Sequence, residues 1–328
     1  MLEYNQVIGH ENIIEHLKKV VEHQKVSQAY IFHGEDGSGK MMLAQIFAKT
    51  LMCEEKGTSP CGRCKSCMQI EGHNHPDVSY VTHEKASIGV DDIRIQVNND
   101  ILIKPFSSQY KIYIIDEAEK MTEQAQNALL KTIEEPPEYA IILLLTNSTT
   151  KLLQTILSRC VVLSLKAVSE KAIKEYLMVK LQIPDYLAEV SAGFSRGNVG
   201  RAIKYASSED FIQSKDAILH VLKHIDEMEL YEIMEAIKDL SAKKLEIEDY
   251  IDLMLLWYRD VLMCKVTKDP NLLLYKNEYK YIAKIASKHD YEGIEKIIQA
   301  MDKAKVRLKA NVNFDTAIEL MLLALKEN

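Results

Sequence analysis

The chain has 328 residues, more than one ordinary hydrophobic core accommodates, which predicts two or three domains of roughly 100 to 200 residues each. Its net charge of −7, with lysines and arginines scattered among carboxylates, excludes a basic tail, so any DNA contact must be local or supplied by partners. No apolar run approaches the roughly 18 residues of a membrane span, and Glu3, Glu11 and Glu15 stand where a signal peptide is apolar, which predicts a cytoplasmic protein.

The first half of the chain alternates short apolar runs with amphipathic stretches, a pattern typical of a parallel β-sheet covered by helices. Apolar residues recur at helical spacing from Ala125 to Ile133, with Thr122 as the candidate N-cap and Pro136 just past the end. The residues that predict buried strands are 30–32, 112–115 and 141–145.

A glycine-rich loop, GEDGSGKM at residues 34–41, follows the first predicted strand and opens a helix. Its glycines let backbone amides surround phosphates, its lysine adds a positive charge, and the helix N-terminus adds a partial one. Met41 stands where a serine or threonine hydroxyl binds Mg²⁺, so Mg²⁺ binding and efficient ATP hydrolysis by the chain alone are not expected. Binding of ATP or ADP and a turn that binds nothing both stay open. The candidate nucleotide residues of this loop are Gly34, Gly37, Gly39 and Lys40.

Two acidic residues, Asp116 and Glu117, directly follow the predicted strand at 112–115. In a P-loop fold a carboxylate at this place reaches Mg²⁺, and its neighbour orients the attacking water. The alternative is an acidic pair that the dipole of a helix N-terminus favours. Because the glycine-rich loop lies upstream in the same alternating region, the nucleotide-fold interpretation is preferred.

Four of the six cysteines lie between residues 53 and 67. In a reducing compartment such a cluster indicates metal binding rather than disulfides. Four thiolates predict a closed tetrahedral shell and therefore a structural Zn²⁺ ion. Replacement of Cys53 by His73 or His75, and cysteines that are merely reduced or redox-active, are the alternatives. The predicted ligands are Cys53, Cys61, Cys64 and Cys67.

After about residue 165 the strand patterns end. Gly293 and Pro270 are the only glycine and proline from Phe211 onward, and so few helix breakers predict a helical region. Ile318 and Leu322 lie on one apolar helical face near the C-terminus.

Several short segments together match the motifs of one known family. They are QAY at 28–30, the cysteine insertion, HPD at 75–77, IDEA at 115–118, NALLKTIEEPP at 127–137, SRC at 158–160 and GNVGRA at 197–202. In these segments the chain resembles the bacterial DNA polymerase III clamp-loader family. The resemblance is strong up to about residue 205, and the 127–137 segment is its most specific part.

The resemblance implies an α/β AAA+ fold with three domains. The expected core, a P-loop NTPase-type parallel sheet, covers residues 1–165 and carries the zinc module at about 53–67. A small helical lid is expected at 166–207 and an all-α collar domain, which joins the subunits of a hetero-oligomer, at 208–328.

Three site residues follow from the resemblance alone. Arg159 of the SRC motif resembles an arginine finger that reaches the ATP of a neighbouring subunit. Asn147 aligns with the family's sensor 1 and Arg201 with its sensor 2. A surface ion pair at Arg159, a turn residue at Asn147 and a helix-surface charge at Arg201 are the alternatives.

Within the family, retention of Arg159 and loss of the hydroxyl at Met41 resemble the delta-prime branch. The function this implies is that of a stator, which lends its arginine to a neighbouring motor subunit during ATP-driven loading of a sliding clamp on primed DNA. The implied partners are the gamma/tau motor subunits and the delta subunit, with the clamp and primed DNA contacted through the complex.

Two other functions stay open at this point. One is a gamma/tau-type subunit that hydrolyses ATP, with water in place of the missing hydroxyl, since Lys40, Asp116 and Glu117 are retained. The other is a zinc-containing interaction or DNA-binding module with a relic nucleotide fold. The sequence decides neither the subunit stoichiometry nor the residues that contact DNA.

Overall fold

The computed structural model describes residues 2–225, 227–241, 247–267, 269–310 and 312–327. These residues form two compact units. The first unit runs up to Tyr176 and includes Arg196–Arg201, whereas the second comprises Leu177–Ser195 and the chain from Ala202 onward. The three-domain division with boundaries at 165 and 207 stays a prediction.

The first unit is built on a five-stranded sheet in which all neighbouring strands are parallel. The strands are β1 (Ala29–His33), β2 (Val78–Val81), β3 (Lys111–Ile115), β4 (Ala140–Thr146) and β5 (Val161–Ser164). Their order is β2-β3-β4-β1-β5. The predicted α/β fold class is confirmed, and the three predicted strands are the central ones. The edge strands β2 and β5 were not predicted.

Helices cover both faces of the sheet, and every residue of the central strands β3 and β4 is therefore buried. Alternate strand side chains such as Tyr30 and Phe32 pack with two helices, α1 (Glu11–Glu22) and α2 (Lys40–Met52). The intervening side chains, such as Ile31, pack on the other face with α5 (Glu123–Glu134) and α6 (Gln154–Leu157). The Oγ1 of Thr122 accepts a hydrogen bond from the amide of Ala125, which confirms the predicted N-cap of α5. The helices are α1 (Glu11–Glu22), α2 (Lys40–Met52), α3 (Lys65–Glu71), α4 (Val90–Ile93), α5 (Glu123–Glu134) and α6 (Gln154–Leu157).

The second unit is helical in its described residues, as predicted. Trp257 is fully buried in its core, and the predicted apolar face with Ile318 and Leu322 is buried there too. Among the described residues, no helix combines the length and the apolar character needed to cross a bilayer. The remaining helices are α7 (Glu170–Lys180), α8 (Asp185–Phe194), α9 (Val199–Ser207), α10 (Glu209–His224), α11 (Leu230–Ser241), α12 (Ile247–Thr267), α13 (Tyr279–Lys288), α14 (Tyr291–Lys309) and α15 (Phe314–Glu327).

A buried carboxylate, Asp77, fixes the loop that leads into β3. Its oxygens accept hydrogen bonds from the backbone amides of Phe106 at 2.5 Å, Ser107 at 2.9 Å and Ser108 at 3.1 Å. Burial by itself raises the pKa of Asp77, but the hydrogen bonds from these amides outweigh burial and hold the pKa below its ordinary value. The charged form of Asp77 is therefore the one that stabilises the fold.

We expect Asp77→Ala to lower the free energy of unfolding by about 2 kcal/mol at pH 7, because it removes the charged acceptor of three loop amides. A carboxyl group whose folded pKa is depressed contributes stability above its unfolded pKa, near 4, and loses that contribution as the pH falls through the folded value. The difference between wild type and variant should therefore shrink below about pH 4. Urea unfolding followed by circular dichroism measures it. The exposed Asp91→Ala is the control, and a pH-independent difference would contradict the assignment.

Candidate functional site

The P-loop, residues 34–41, connects the carboxyl end of β1 to the start of α2 at Lys40. Gly37 and Gly39 have φ angles of 85° and 97°, which favour glycine. A Cβ atom at Gly37 would lie 2.7 Å from the Oδ1 of Asn198, so a larger residue does not fit there. The loop therefore has the backbone that a phosphate-binding loop requires.

The side chain of Lys40 is buried in the P-loop and has three partners there. Its Nζ donates hydrogen bonds to the carbonyl oxygens of Gly34 at 2.7 Å and Glu35 at 3.0 Å. It also forms an ion pair with the Oδ1 of Asp36 at 3.1 Å. All three partners of Lys40 thus belong to the P-loop itself, the segment that would bind the phosphates together with this lysine.

Met41, the next residue, belongs to apolar packing beside the loop. Its side chain is partly buried and packs against the apolar cluster that α1 and α2 form with the sheet. It offers no oxygen for a hard cation such as Mg²⁺.

The acidic pair after β3 divides into two environments. Burial raises the pKa of Asp116, and the charges of Glu117 and Glu119 act in the same direction. Glu117 pairs through Oε2 with the Nζ of Lys120 at 2.8 Å and lies 3.6 Å from the Nε2 of His83. Asp116 is close enough to Lys40 for their charges to interact and stays the candidate metal carboxylate, whereas Glu117 is paired with Lys120 and lies beside His83.

The two sensor candidates both approach the P-loop. The Nδ2 of Asn147 donates a hydrogen bond to the Oδ2 of Asp36 at 3.2 Å, and a guanidinium nitrogen of Arg201 lies 4.0 Å from a carboxylate oxygen of Glu35. Asn198 fastens the segment before Arg201 to the loop, since its Nδ2 donates to the carbonyl of Asp36 at 2.7 Å. The structure therefore brings the sequence-predicted nucleotide residues together at one edge of the sheet.

Three residues of this site were missed from the sequence, namely Glu35, Asp36 and Asn198. The two acidic residues occupy variable positions of the glycine-rich loop, where the motif sets no residue type. Their charge, next to a loop expected to bind phosphate, was the available clue.

The four predicted zinc ligands form a cluster in which all four Sγ atoms lie within 4.8 Å of one another. A tetrahedral zinc ion with bonds of about 2.3 Å sets its sulfur atoms about 3.8 Å apart, so this donor set fits the metal. The amide of Cys61 donates to the Sγ of Cys53, and the amide of Cys67 to the Sγ of Cys64, each at 3.4 Å. Such N–H donors stabilise thiolates.

The pKa of the thiol group differs from one cysteine of the cluster to the next. Hydrogen bonds from the amides of Arg63 and Cys64 lower the pKa of Cys61 to about 7, whereas burial raises the pKa of Cys53 and of Cys67. A bound divalent cation would offset the cost of several thiolates in one place.

The two candidate histidine ligands have other partners. The Nδ1 of His75 accepts a hydrogen bond from the amide of Asp77, and its Nε2 lies 3.3 Å from the Oγ of Ser66. His73 lies 3.4 Å from the Nε2 of Gln45. The geometry therefore favours Cys53 as the fourth ligand.

Arg159 lies at the edge of the sheet formed by the amino ends of the strands, opposite the edge formed by their carboxyl ends, where the P-loop lies. It lies two residues before β5, whose Val161 is aligned with Tyr30 near the start of β1, while the P-loop follows the end of β1. At about 3.3 Å per residue, the length of β1 sets Arg159 roughly 15 Å from the chain's own P-loop. Its guanidinium pairs with the Oε1 of Glu134 at 2.9 Å, and its Nη1 donates to the carbonyl of Thr155 at 3.0 Å.

Comparison with known proteins gives the family. Residues 9–169 match the family model described as DNA polymerase III, delta subunit. The chain is 30% identical to the DNA polymerase III subunit delta′ of Bacillus subtilis over 94% of its length and 93% of that protein. The chain belongs to the delta′ family of DNA polymerase III clamp-loader subunits.

Members of the tau and gamma group are also similar. The chain is 30% identical to the tau subunit of Bacillus subtilis over 80% of its own length, and it spans half of that longer protein. A gamma subunit-related protein of DNA polymerase III from Thermotoga maritima superimposes with a TM-score of 0.49, at 19% identity over 96% of this chain and 98% of that one. The chain therefore shares sequence with a tau subunit as well as with a delta′ subunit.

For this delta′ family member we expect about one zinc ion per chain by elemental analysis. Because a structural metal stabilises the folded state, Cys64→Ser should lose the ion and lower the melting temperature by about 5 °C or more. Cys264→Ala, which alters a buried cysteine outside the cluster, should keep the metal. Equal zinc content in the two variants would contradict the four-cysteine site.

Proposed function

We propose that this chain is the stator of a DNA polymerase III clamp loader and supplies Arg159 in trans to the ATP site of a neighbouring motor subunit. The observation that carries the proposal is the position of Arg159. It lies at the edge of the sheet opposite the chain's own P-loop, with about two-fifths of its side chain exposed. Its distance from its own P-loop supports a role at another chain's nucleotide rather than at its own.

A guanidinium group suits this task for a physical reason. The phosphoryl group in transfer carries charge on three oxygens, which the planar fork of an arginine can contact with two donors at once. An arginine finger supplied in trans raises the rate of phosphoryl transfer by roughly a thousandfold or more. The stator therefore needs to position one side chain and performs no covalent step.

The chain's own P-loop has a lesser role in this proposal. Met41 provides no Mg²⁺ ligand and Glu117 is paired with Lys120, so the chain alone does not hydrolyse ATP efficiently. ATP or ADP is a candidate ligand through Lys40, Asn147 and Arg201. Zn²⁺, held by the four cysteines, has a structural role because a closed thiolate shell leaves no position for substrate.

The proposed partners are the gamma/tau motor subunits, which hydrolyse the ATP, and the delta subunit. The sliding clamp and primed DNA are contacted through the assembled complex. The net charge of −7 agrees with this arrangement, because partners would supply most of the positive surface that DNA requires.

A second candidate, an ATP-hydrolysing subunit of the gamma/tau type, is favoured by the 30% identity to tau and by the retained Lys40 and Asp116. ATP turnover by the purified chain alone distinguishes the two functions. The stator has no efficient turnover of its own.

The stator is tested by Arg159→Ala in a loader reconstituted with motor and delta subunits, clamp and primed DNA. We expect the DNA-stimulated ATPase at the site facing this chain to fall by about a hundredfold or more, because the charge of the transferred group loses its donor. Single-turnover measurements detect one slow site among several. Arg94→Ala, which removes an exposed arginine paired with Asp91, is the matched control. Unchanged turnover at that site with Arg159→Ala would reject the trans role.

Glu134→Gln tests whether the ion pair with Glu134 keeps Arg159 from contacting the nucleotide of the neighbouring subunit. Both side chains are partly exposed, and such pairs contribute up to about 1 kcal/mol, which corresponds to roughly a fivefold change in rate. We therefore expect Glu134→Gln to change the rate at the site facing this chain by less than about fivefold. A change as large as that of Arg159→Ala would mean that Glu134 is itself required to position the guanidinium.

A further inference from the structure

The residues proposed to hold the phosphates of a nucleotide are already bound to carboxylates of the P-loop itself. Lys40 and Asn147 contact the two oxygens of one carboxylate, Asp36, at 3.1 and 3.2 Å. Arg201 lies 4.0 Å from a carboxylate oxygen of Glu35. One anionic group thus bridges a cation and an amide donor that belong to distant parts of the chain.

This bridge has the chemistry of a bound phosphate. A carboxylate presents two acceptor oxygens with one negative charge, and it takes hydrogen bonds from an ammonium and an amide group as a phosphoryl group does. Partial desolvation of the carboxylate by itself raises the pKa of Asp36, but hydrogen bonds from Lys40 and Asn147, together with the charge of Arg201, outweigh it and hold the pKa below its ordinary value. Asp36 is therefore ionised at neutral pH.

The backbone of the loop is fastened as well. Asn198 donates to the carbonyl of Asp36 at 2.7 Å, and the amide of Gly200 donates to the carbonyl of Gly37 at 2.9 Å. The segment that carries Arg201 is thus attached directly to the loop. These contacts keep Asp36 close to its partners although its own side chain is largely exposed.

We infer that the Asp36 carboxylate is an internal phosphate mimic, which occupies Lys40 and Asn147 and opposes nucleotide binding at this chain's P-loop. An incoming triphosphate must displace Asp36 from Lys40 and Asn147 and then lie beside the negative charges of Asp36 and Asp116. Met41 also lacks the hydroxyl group that would bind a Mg²⁺ ion to offset this charge. The inference rests on the proposed function in taking Lys40 and Asn147 as phosphate ligands. It explains why these residues are compatible with a subunit that is not a motor.

Asp36→Asn tests the inference, because it keeps the shape of the side chain and removes the charge. We expect the purified full-length variant to bind ATP at least about tenfold more tightly than wild type, by isothermal titration calorimetry with and without Mg²⁺. Asp36→Ser, which withdraws the side chain from Lys40, is a second variant expected to give a similar gain. Thermal melting verifies that each variant is folded.

The matched control is Glu138→Gln. It also removes one exposed negative charge from the first unit, but Glu138 precedes β4 and therefore lies at the edge of the sheet opposite the P-loop. We expect its affinity for ATP to equal that of wild type. In the double variant Asp36→Asn/Lys40→Met the gain should disappear, because the released lysine is its source.

Equal affinity of wild type and the Asp36 variants would overturn the inference, as would an equal gain with Glu138→Gln or a gain that persists without Lys40. These measurements use the isolated chain, whereas the proposed trans role is measured in the assembled loader with Arg159→Ala. If the Asp36 variants show no gain while Arg159→Ala slows the partner, only the phosphate mimic fails. The reverse result rejects the stator and leaves the mimic intact.

Discussion

The pairing of β1 between β4 and β5 is the constraint on which the rest of the first unit depends. Parallel pairing places the carboxyl ends of these strands at one edge of the sheet, where the amide of Gly34 donates to Thr146 and the amide of Leu165 donates to His33. The P-loop and Asn147 are neighbours for this reason. The same pairing places Arg159 at the opposite edge, because it precedes β5.

The two edges thus have separate chemistry. At the carboxyl edge Lys40 and Arg201 lie 3.1 and 4.0 Å from carboxylate oxygens of the P-loop, so these candidate phosphate ligands already have anionic neighbours within the chain. At the amino edge the guanidinium of Arg159 remains partly exposed beside α5. This separation agrees with the proposed role, in which Arg159 acts on a neighbour's nucleotide and the chain's own P-loop takes no part in hydrolysis.

Much of this arrangement could be predicted from local sequence, and the missed features have identifiable causes. The central strands stood out as continuous apolar runs, and α5 as one apolar helical face between a cap and a proline. By contrast, β2 and β5 are four residues long and each has positions that are not buried. The choice of Cys53 over His75 as a zinc ligand stays a prediction, which the clustering of the four cysteines and the contact of His75 with Asp77 favour. Asp36 was missed because its partner Asn147 is 111 residues away.

The contrast between Lys40 and Arg159 shows how burial decides what an ion pair does. The side chain of Lys40 is 9% exposed and is also bound by two backbone carbonyls, so it stays fixed in the loop even when it leaves Asp36, whose own side chain is 81% exposed. Arg159 is 40% exposed and its partner Glu134 is 46% exposed, so solvent screens their attraction and replaces it readily. Because the second pair is weak, the chain can orient Arg159 before assembly and still release it to a stronger phosphate partner.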